Sequence, residues 1–186
     1  MDHLNWYIDV DGTLTDARSR EVLAESQGLV TGAYGSSERE FPKGKKAFQR
    51  FFGDPRRYHT DTTIEGALTL LNTLHEETTG SVTILTARQD NHALATQNDL
   101  RARGLWFAEM ALVCKPRSWA SSSASFKSEM IESAGLGVEG GIVFVDNNPN
   151  NRVAVASAVE SHCFSSCEEA LSWYLDESKK GLEGAI

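Results

Sequence analysis

The chain has 186 residues, of which 40% are hydrophobic and 24% are charged, and its net charge is −8. Such a chain is long enough for one globular domain with a sizeable core. The acidic charge disfavours broad non-specific binding to nucleic acid or anionic membrane, although a local basic patch is still able to bind phosphate. No apolar stretch is long enough to span a bilayer, and the N-terminus lacks a signal-peptide pattern. With three cysteines and no CxxC pair, we expect a cytoplasmic protein with reduced thiols and no membrane partner.

Five apolar runs predict strands, and helical patterns separate most of them. In chain order the predicted strands are 4–10, 81–87, 109–114, 141–146 and 161–165. Their continuous apolar character is typical of parallel strands that are covered on both faces. Apolar residues recur at helical spacing in 64–74, 126–134 and 171–175. This alternation predicts an α/β fold, a three-layer, doubly wound, Rossmann-like parallel sheet with right-handed crossovers.

One segment, from about 16 to 63, interrupts this alternation. It is rich in Gly, Ser and charged residues, and its part 45–54 predicts a short helix. We expect it to form a flap or small cap over the strand ends, too short to be an independent domain. The chain would then be a single domain over residues 1–176, followed by a frayed tail at 177–186.

Polar side chains stand at the ends of three predicted strands. Asp9 ends the first strand, Thr86 the second, and Asp146 the strand 141–146. Ligands bind at the carboxyl ends of strands in open α/β sheets, so we expect these three side chains at one binding edge. Each of them alone is also a common residue for a strand end or a turn, and their coincidence is what favours a functional site.

The residues around these strand ends resemble the four motifs of the haloacid dehalogenase superfamily in its phosphatase form. The matching stretches are "DVDGT" (9–13), "ILTAR" (84–88), "FKSEMI" (126–131) and "VFVDNN" (143–148). A finer resemblance, to compact phage-type members and to the phosphatase module of polynucleotide kinase, comes from the stretches at 58–71, 86–105 and 126–132. The resemblance implies the fold of that superfamily, with a minimal cap.

The resemblance also implies a Mg²⁺-dependent phosphomonoesterase that forms an aspartyl-phosphate. Asp9 would be the nucleophile, and Asp11 would protonate the leaving alcohol and then deprotonate the attacking water. Thr86 would hydrogen-bond a phosphoryl oxygen, and Lys127 would neutralise the nucleophile and the transferring group. Lys115, which follows the strand 109–114, is the alternative for this lysine. Covalent catalysis of this kind divides one slow step into two easier ones.

Metal ligands and substrate contacts follow from the same motifs. The expected Mg²⁺ ligands are the carboxylates of Asp9 and Asp146 and the main-chain carbonyl of Asp11, which are hard oxygen donors. Asn147 stands where many relatives carry a second acid, so we expect weaker Mg²⁺ binding. The expected substrate-binding residues are Gly12, Thr13, Ala87, Arg88 and Lys115.

The substrate and the activity leave alternatives open in the sequence. A small cap would leave an open site, which suits a large phosphorylated substrate such as a polynucleotide 3′-phosphate, with Arg56, Arg57 and Lys115 as local cations. A small nucleotide or sugar phosphate is the alternative substrate. A dehalogenase is disfavoured by Asp11, which a phosphate leaving group requires, and a catalytically weakened binding module is favoured by Asn147 alone. The sequence does not indicate an oligomeric state.

Overall fold

A parallel sheet of five strands forms the centre of the structure, a computed structural model that describes residues 3–32, 38–77, 80–135 and 140–183. The strands of the chain are β1 Leu4–Ile8, β2 Thr15–Asp16, β3 Thr62–Thr63, β4 Gly80–Gln89, β5 Ala111–Lys115, β6 Gly141–Val145 and β7 His162–Phe164. The main sheet has the order β5-β4-β1-β6-β7, so that β1 lies in the middle and pairs in parallel with β4 and β6. The predicted doubly wound parallel sheet is confirmed.

Helices cover both faces of this sheet. They are α1 Arg18–Ser26, α2 Lys45–Phe52, α3 Ala67–Glu77, α4 Ala93–Ala102, α5 Ser123–Gly135, α6 Pro149–Ala158 and α7 Cys167–Glu183, with 3₁₀ helices at Pro55–Thr60 and Asp90–His92. α3 packs against α7 on one face, and α5 packs against α6 on the other. The sheet therefore lies between two helical layers, as expected for a doubly wound fold.

Strand β1 shows why the apolar runs of the sequence are continuous. Leu4, Trp6 and Ile8 point into the core beneath α3 and α7, while Tyr7 packs against the core beneath α5 and α6. Successive side chains of a strand point to opposite faces, so a strand covered on both sides needs apolar residues at nearly every position.

We call the segment between β1 and α3 the cap, since its Arg20 reaches over the strand end to Asp11. It contains α1, α2 and the 3₁₀ helix Pro55–Thr60, and its base is the antiparallel pair β2–β3. Ala24, Leu29, Val30 and Phe48 form a small apolar core of its own. The helix predicted within 45–54 is α2, and α1 was not predicted. Residues 33–37 of this segment lie outside the described residues.

The C-terminal segment differs from the sequence expectation. α7 continues to Glu183, whereas a frayed tail was predicted from 177. Ion pairs between neighbouring turns of the helix, Lys179 with Asp176 and Lys180 with Glu177, accompany this extension. Pairs at this spacing on an exposed helix surface make a small contribution to its stability. Residues 184–186, the rest of the predicted tail, lie outside the described residues.

Two further sequence expectations concern the thiols and the membrane. Cys114, Cys163 and Cys167 are all unpaired. In the described part of the chain, no helix combines the length and the apolar character needed to cross a membrane.

Candidate active site

The carboxyl ends of three adjacent strands bring the motif residues together. The main-chain N–H of Asp9 donates to the carbonyl of Val145 at 2.9 Å, which extends the β1–β6 pairing one residue beyond the strand. Asp146 follows β6 directly, and Thr86 lies within β4. Because β1 is flanked by β4 and β6, these three side chains meet at one edge of the sheet.

Lys127 lies between the two motif carboxylates. Its Nζ is 2.7 Å from Oδ1 of Asp9 and 2.6 Å from Oδ2 of Asp146, and its side chain is 1% exposed. Lys127 comes from the first turns of α5, which passes under this edge of the sheet. A buried ammonium is tolerated because two carboxylates compensate its charge. This geometry favours Lys127 over Lys115 as the lysine of the site.

Asp146 is held by three further contacts from the loop that follows it and the first turn of α6. Its Oδ1 accepts from the main-chain N–H of Asn148 at 2.8 Å, and its Oδ2 accepts from Nδ2 of Asn151 at 2.8 Å. Arg152 donates to its main-chain carbonyl at 2.6 Å. Asn148 also caps α6 by accepting from the N–H of Asn150. The Asn-rich loop therefore fixes the acid of the fourth motif as well as starting the helix.

Burial and charge shift the proton affinities of this group. Burial raises the pKa of Asp9 to about 7, with a further contribution from the Asp146 carboxylate, while Lys127 acts in the opposite direction. Burial tends to lower the pKa of Lys127, but the facing carboxylates of Asp9 and Asp146 raise it above its ordinary value. The lysine is therefore charged at neutral pH, and one positive charge is shared between two acids.

Asp11 is held by two arginines. Nη2 of Arg88 is 2.9 Å from its Oδ1, Nε of Arg88 is 3.1 Å from its Oδ2, and Nη2 of Arg20 also donates to Oδ1. Arg20 comes from α1 of the cap, and Arg88 comes from the end of β4. The candidate acid–base residue therefore lies at the junction between the cap and the sheet.

A second buried carboxylate, Asp61, holds the same two guanidiniums. Its Oδ1 accepts from Nε of Arg20 at 2.7 Å, its Oδ2 accepts from Nη2 of Arg20 at 2.8 Å, and Nη2 of Arg88 is 3.3 Å away. Arg103 donates to the main-chain carbonyls of Asp61 and Tyr58 at 2.7 and 2.9 Å. Asp61 therefore orients both arginines toward Asp11, and Arg103 holds the loop that carries it.

This network determines the charge of Asp11. Burial alone would raise the pKa of its carboxyl, but Arg88 and Arg20 outweigh burial and hold the pKa far below its usual range. Asp11 is therefore ionised in the free protein at neutral pH. Asp9 and Asp11 therefore differ widely in proton affinity, but in the free protein Asp9 is the more readily protonated of the two, which is opposite to the states that a nucleophile at Asp9 and an acid at Asp11 require.

Two of the remaining motif residues line a cleft above the strand ends, and Thr86 lies beneath its surface. Ala87 and Asn147 line it, together with Asp9 and Asp11. Thr86 is fully buried, and its Oγ accepts from the N–H of Arg88 at 3.2 Å.

The turn after Asp11 is packed against the fourth motif. Gly12 has φ +86°, and a Cβ built on it would lie 2.3 Å from Nδ2 of Asn147. Oγ of Thr13 accepts from the main-chain N–H of Asn147 at 3.1 Å. Gly12 is therefore required both for its backbone conformation and for the close approach of Asn147.

Arg88 and Lys115, the two cations predicted to bind substrate, make different contacts in the structure. The guanidinium of Arg88, predicted to bind substrate, is bound by Asp11 and Asp61 and stacks 3.7 Å from the centroid of the Tyr58 ring. Lys115 lines the outer cleft and donates to the carbonyl of Ser121 at 2.5 Å.

Neither cation of the predicted 56–57 patch is free of a partner. Arg56 is paired with Asp54 at 2.8 Å, and Arg57 lies 3.9 Å from the centroid of the Phe51 ring. Both arginines thus have contacts within the cap, while Arg56 is exposed and lines the cleft, so their contact with a substrate stays a prediction.

The donor set suits Mg²⁺ in its chemistry. Asp9 and Asp146 provide two carboxylates and Asp11 a main-chain carbonyl, which are the oxygen ligands that Mg²⁺ prefers. Oδ2 of Asp9 accepts no hydrogen bond from the described residues, and Oδ1 of Asp146 accepts one. Within the described ranges, no group of three or more His, Cys, Asp or Glu side chains is arranged to hold a metal. The set is therefore limited to two acids and a carbonyl, with Asn147 adjacent.

Two residues of the site, Arg20 and Asp61, were not predicted from the sequence. Both are buried, although they lie in the segment that was interpreted as a polar flap. Its helical spacing could have indicated that Arg20 is buried. Arg20 follows Ala17 by three residues and precedes Ala24 by four, and both alanines are buried. No comparable pattern surrounds Asp61.

Comparison with known proteins supports the fold. Neither a family model nor a curated protein matches the sequence. A haloacid dehalogenase-like hydrolase from Streptococcus pneumoniae matches with a TM-score of 0.60 and 10% identity, over 93% of this chain and 98% of that one. A predicted phosphatase from Clostridium acetobutylicum matches with a TM-score of 0.57 and 14% identity, over 95% and 100%. The chain has the fold of the haloacid dehalogenase superfamily.

A third similar structure belongs to a nucleic-acid repair assembly. It is the Pnkp1/Rnl/Hen1 RNA repair complex, with a TM-score of 0.56 and 13% identity. The match covers 87% of this chain but 42% of that one, so the likeness is to one part of a longer protein. At such identities the similarity shows a haloacid dehalogenase fold, and the activity has to follow from the side chains of the site.

Proposed function

We propose that the protein is a Mg²⁺-dependent phosphomonoesterase that acts through an aspartyl-phosphate on Asp9. The observation that carries this proposal is the position of Lys127, buried between Asp9 and Asp146 at the strand ends. A carboxylate attacks a phosphate with difficulty because both are anions. A fixed cation beside the nucleophile lowers that repulsion without any rearrangement during the reaction.

The proposed reaction has two displacements at phosphorus. A carboxylate oxygen of Asp9 attacks, the bond from phosphorus to the leaving oxygen breaks, and that oxygen takes a proton from Asp11. A water molecule then attacks the phosphorus of the aspartyl-phosphate and gives its proton to the Asp11 carboxylate. This releases inorganic phosphate and regenerates Asp9, and Asp11 gives its proton to solvent once phosphate has left, since its carboxyl is ionised in the free protein.

Mg²⁺ would be held by the carboxylates of Asp9 and Asp146 and the carbonyl of Asp11, and it would supply charge neutralisation for the incoming phosphate. Asn147 contributes no charge to this set, which supports the expectation of weak metal binding. Lys127 does not offset this missing charge, because its cation already neutralises part of the charge of the same two carboxylates.

We further propose a polynucleotide 3′-phosphate as the substrate. The cleft above the site has a volume of about 2050 Å³. Pockets for small molecules measure roughly 300–1,000 Å³. The cap borders this cleft without closing over it, which leaves space for a chain that continues away from the scissile group. The similarity to a structure from an RNA repair complex supports the same substrate class.

The catalytic proposal is tested by trapping the intermediate. The protein is mixed with a ³²P-labelled substrate and Mg²⁺ and quenched in acid, and the protein-bound label is measured. We expect label on the wild type and none on Asp9→Asn, while Asp11→Asn should slow both formation and release of the label. Full turnover by Asp9→Asn would contradict the nucleophile assignment, and undiminished activity in excess EDTA would contradict the metal requirement.

The substrate proposal is tested by competition between classes. The kcat/KM is measured for a 3′-phosphorylated oligonucleotide, a mononucleotide and a hexose phosphate at fixed Mg²⁺ and ionic strength. We expect the oligonucleotide to be preferred. A preference of about tenfold for either small substrate, or roughly 1.4 kcal/mol in the transition state, would favour the small-molecule alternative.

A further inference from the structure

The cap helix α2 carries apolar side chains that pack within the cap and basic side chains that line the cleft. Phe48 and Phe52 lie on the apolar face, against the core of the cap. Lys45, Lys46 and Arg50 line the cleft above the candidate active site. Lys46 and Arg50 are four residues apart, so they are neighbours on the helix surface. We call these three residues, Lys45, Lys46 and Arg50, the α2 basic face.

The charges of the α2 basic face are not neutralised within the structure. No carboxylate among the described residues forms an ion pair with Lys45, Lys46 or Arg50, and all three are exposed. The other arginines of the cap differ in this respect, since Arg20 and Arg56 pair with carboxylates. The α2 basic face is therefore a source of unpaired positive charge at the mouth of the cleft.

The position of the two lysines is not explained by helix stability. Lys45 and Lys46 are the first two residues of α2, and no acidic residue lies in its first turn. The helix dipole favours acids there and disfavours cations by about 0.3–1 kcal/mol each. A basic first turn thus opposes the local energetics of the helix, and an anionic ligand in the cleft would reverse this effect.

We propose that the α2 basic face binds the phosphodiester backbone of a single-stranded polynucleotide whose 3′-phosphate enters the site; this inference rests on the proposed function. A small phosphate ester has its charge at the floor, near Lys127, and it does not extend along the cap. A strand carries one charge per nucleotide along its whole length. The exposed side chain of Arg117 lines the cleft as well. Arg117 comes after β5 in the chain, so it lies outside the cap.

The overall charge of the protein makes such a surface necessary for this substrate. With a net charge of −8, the protein repels a polyanion at long range. A cluster of unpaired cations acts at short range, where it displaces the counterions of the strand. The favoured partner is therefore a polynucleotide rather than a phosphoprotein, which does not supply regularly repeated charges.

The test is the triple variant Lys45→Gln/Lys46→Gln/Arg50→Gln, compared with a control variant that removes the same charge elsewhere, Arg101→Gln/Lys179→Gln/Lys180→Gln. The control residues are exposed and lie outside the cleft. Binding of 5′-fluorescein-labelled, 3′-phosphorylated (dT)₁₀ and (U)₁₀ is measured by anisotropy in EDTA, as a function of salt. Losing three contacts should weaken binding by about 10- to 100-fold near 0.1 M salt and reduce the salt slope by about 2.

The kinetic readout follows with Mg²⁺. The triple variant should lose kcat/KM on the oligonucleotide and keep it on an aryl phosphate, which does not reach α2, while the control variant should match the wild type on both. Equal binding and an equal salt slope in the triple variant would overturn the proposal, and so would a loss confined to a phosphopeptide substrate. If the wild type binds the oligonucleotide through α2 but hydrolyses no phosphate ester, the proposed function fails and the surface assignment stands.

Discussion

Replacing Lys127 by Met tests the central charge arrangement of the site. The side chain keeps a similar length and becomes neutral, so the carboxylates of Asp9 and Asp146 face each other without a cation. The two oxygens lie 2.7 and 2.6 Å from the same Nζ. They are therefore no more than about 5.3 Å apart, which corresponds to a repulsion of about 3 kcal/mol at an effective dielectric constant of about 20.

The expected cost agrees with what is known of buried ion pairs. Removing one partner of such a pair destabilises a protein by roughly 3–5 kcal/mol, because a buried charge is left uncompensated. For a chain of this length, each kcal/mol lowers the Tm by about 2–4 °C. We therefore expect Lys127→Met to lower the Tm by roughly 6–20 °C at pH 8 in EDTA, measured by calorimetry or thermal circular dichroism.

Two further measurements distinguish this cause from a general packing defect. Without the lysine, no cation opposes the burial and the Asp146 charge that raise the pKa of Asp9, so the folded variant takes up a proton more readily than the unfolded chain. The variant therefore loses stability as the pH rises. Its Tm should lie closer to that of the wild type at pH 5 than at pH 8. Added Mg²⁺ should raise the Tm of the variant more than that of the wild type, because it replaces the missing cation.

The control is Lys115→Met, in the same cleft. Lys115 donates to a main-chain carbonyl and contacts no carboxylate among the described residues, so its replacement should change stability by about 0.5 kcal/mol or less. The reasoning would be refuted if Lys127→Met melted with the wild type at pH 8 in EDTA. A Tm difference that stayed constant from pH 5 to pH 8 would refute it as well.

Three other substitutions test separate parts of the site. Asp61→Asn removes the acid shared by the two buried arginines, so we expect a loss of about 3–5 kcal/mol in the free energy of unfolding, read from urea denaturation, together with a lower kcat. Gly12→Ala brings a Cβ to within 2.3 Å of the Asn147 side chain, whereas Gly28, after α1, has a φ of +63° and a Cβ built there has its nearest neighbouring atom 4.0 Å away, so Gly28→Ala serves as the control. Both should lose about 1–2 kcal/mol from backbone strain, but Gly12→Ala should lose more and should also lose activity. Asp9→Asn removes a carboxyl group whose pKa is raised to about 7 by burial. The contribution of such a group to stability falls as the pH rises from about 4 to 7. Its Tm in EDTA should therefore rise relative to the wild type between pH 4 and pH 8, and a change in the opposite direction would contradict this.

The sequence predicted the sheet well because its strands are covered on both faces. A strand such as β1 needs apolar residues on each side, so it appears as a continuous run that ends abruptly in polar residues. The motif residues at those ends were predictable for the same reason, since parallel strands place their carboxyl ends at one edge. The spacing between Lys127 and Asp146 in the sequence favoured Lys127 over Lys115 as the lysine of the site. The structure brings the side chains of Lys127 and Asp146 into contact.

The part of the site contributed by the cap was not predictable in this way. Arg20 reaches Asp11 only because α1 packs over the strand ends, and Asp61 reaches Arg20 across 41 residues of chain. Such contacts depend on how the cap folds on its own apolar core, and charged residues in a polar segment look like a solvated surface in the sequence. Arg56 was expected to contact a ligand, and it pairs within the cap with Asp54, two residues away.

The low pKa of Asp11 in the free protein and its proposed work as an acid are reconciled by the substrate itself. Arg20 and Arg88 favour the carboxylate as long as they face Asp11 and Asp61 alone. A phosphate monoester near neutral pH carries between one and two negative charges. When it enters the cleft beside Asp11, its like charge disfavours the carboxylate, and its oxygens compete for the same guanidinium donors. Both effects raise the pKa of Asp11 at the step where a proton is needed. Departure of the leaving alcohol then leaves Asp11 ionised between two arginines, the state in which it accepts a proton from water.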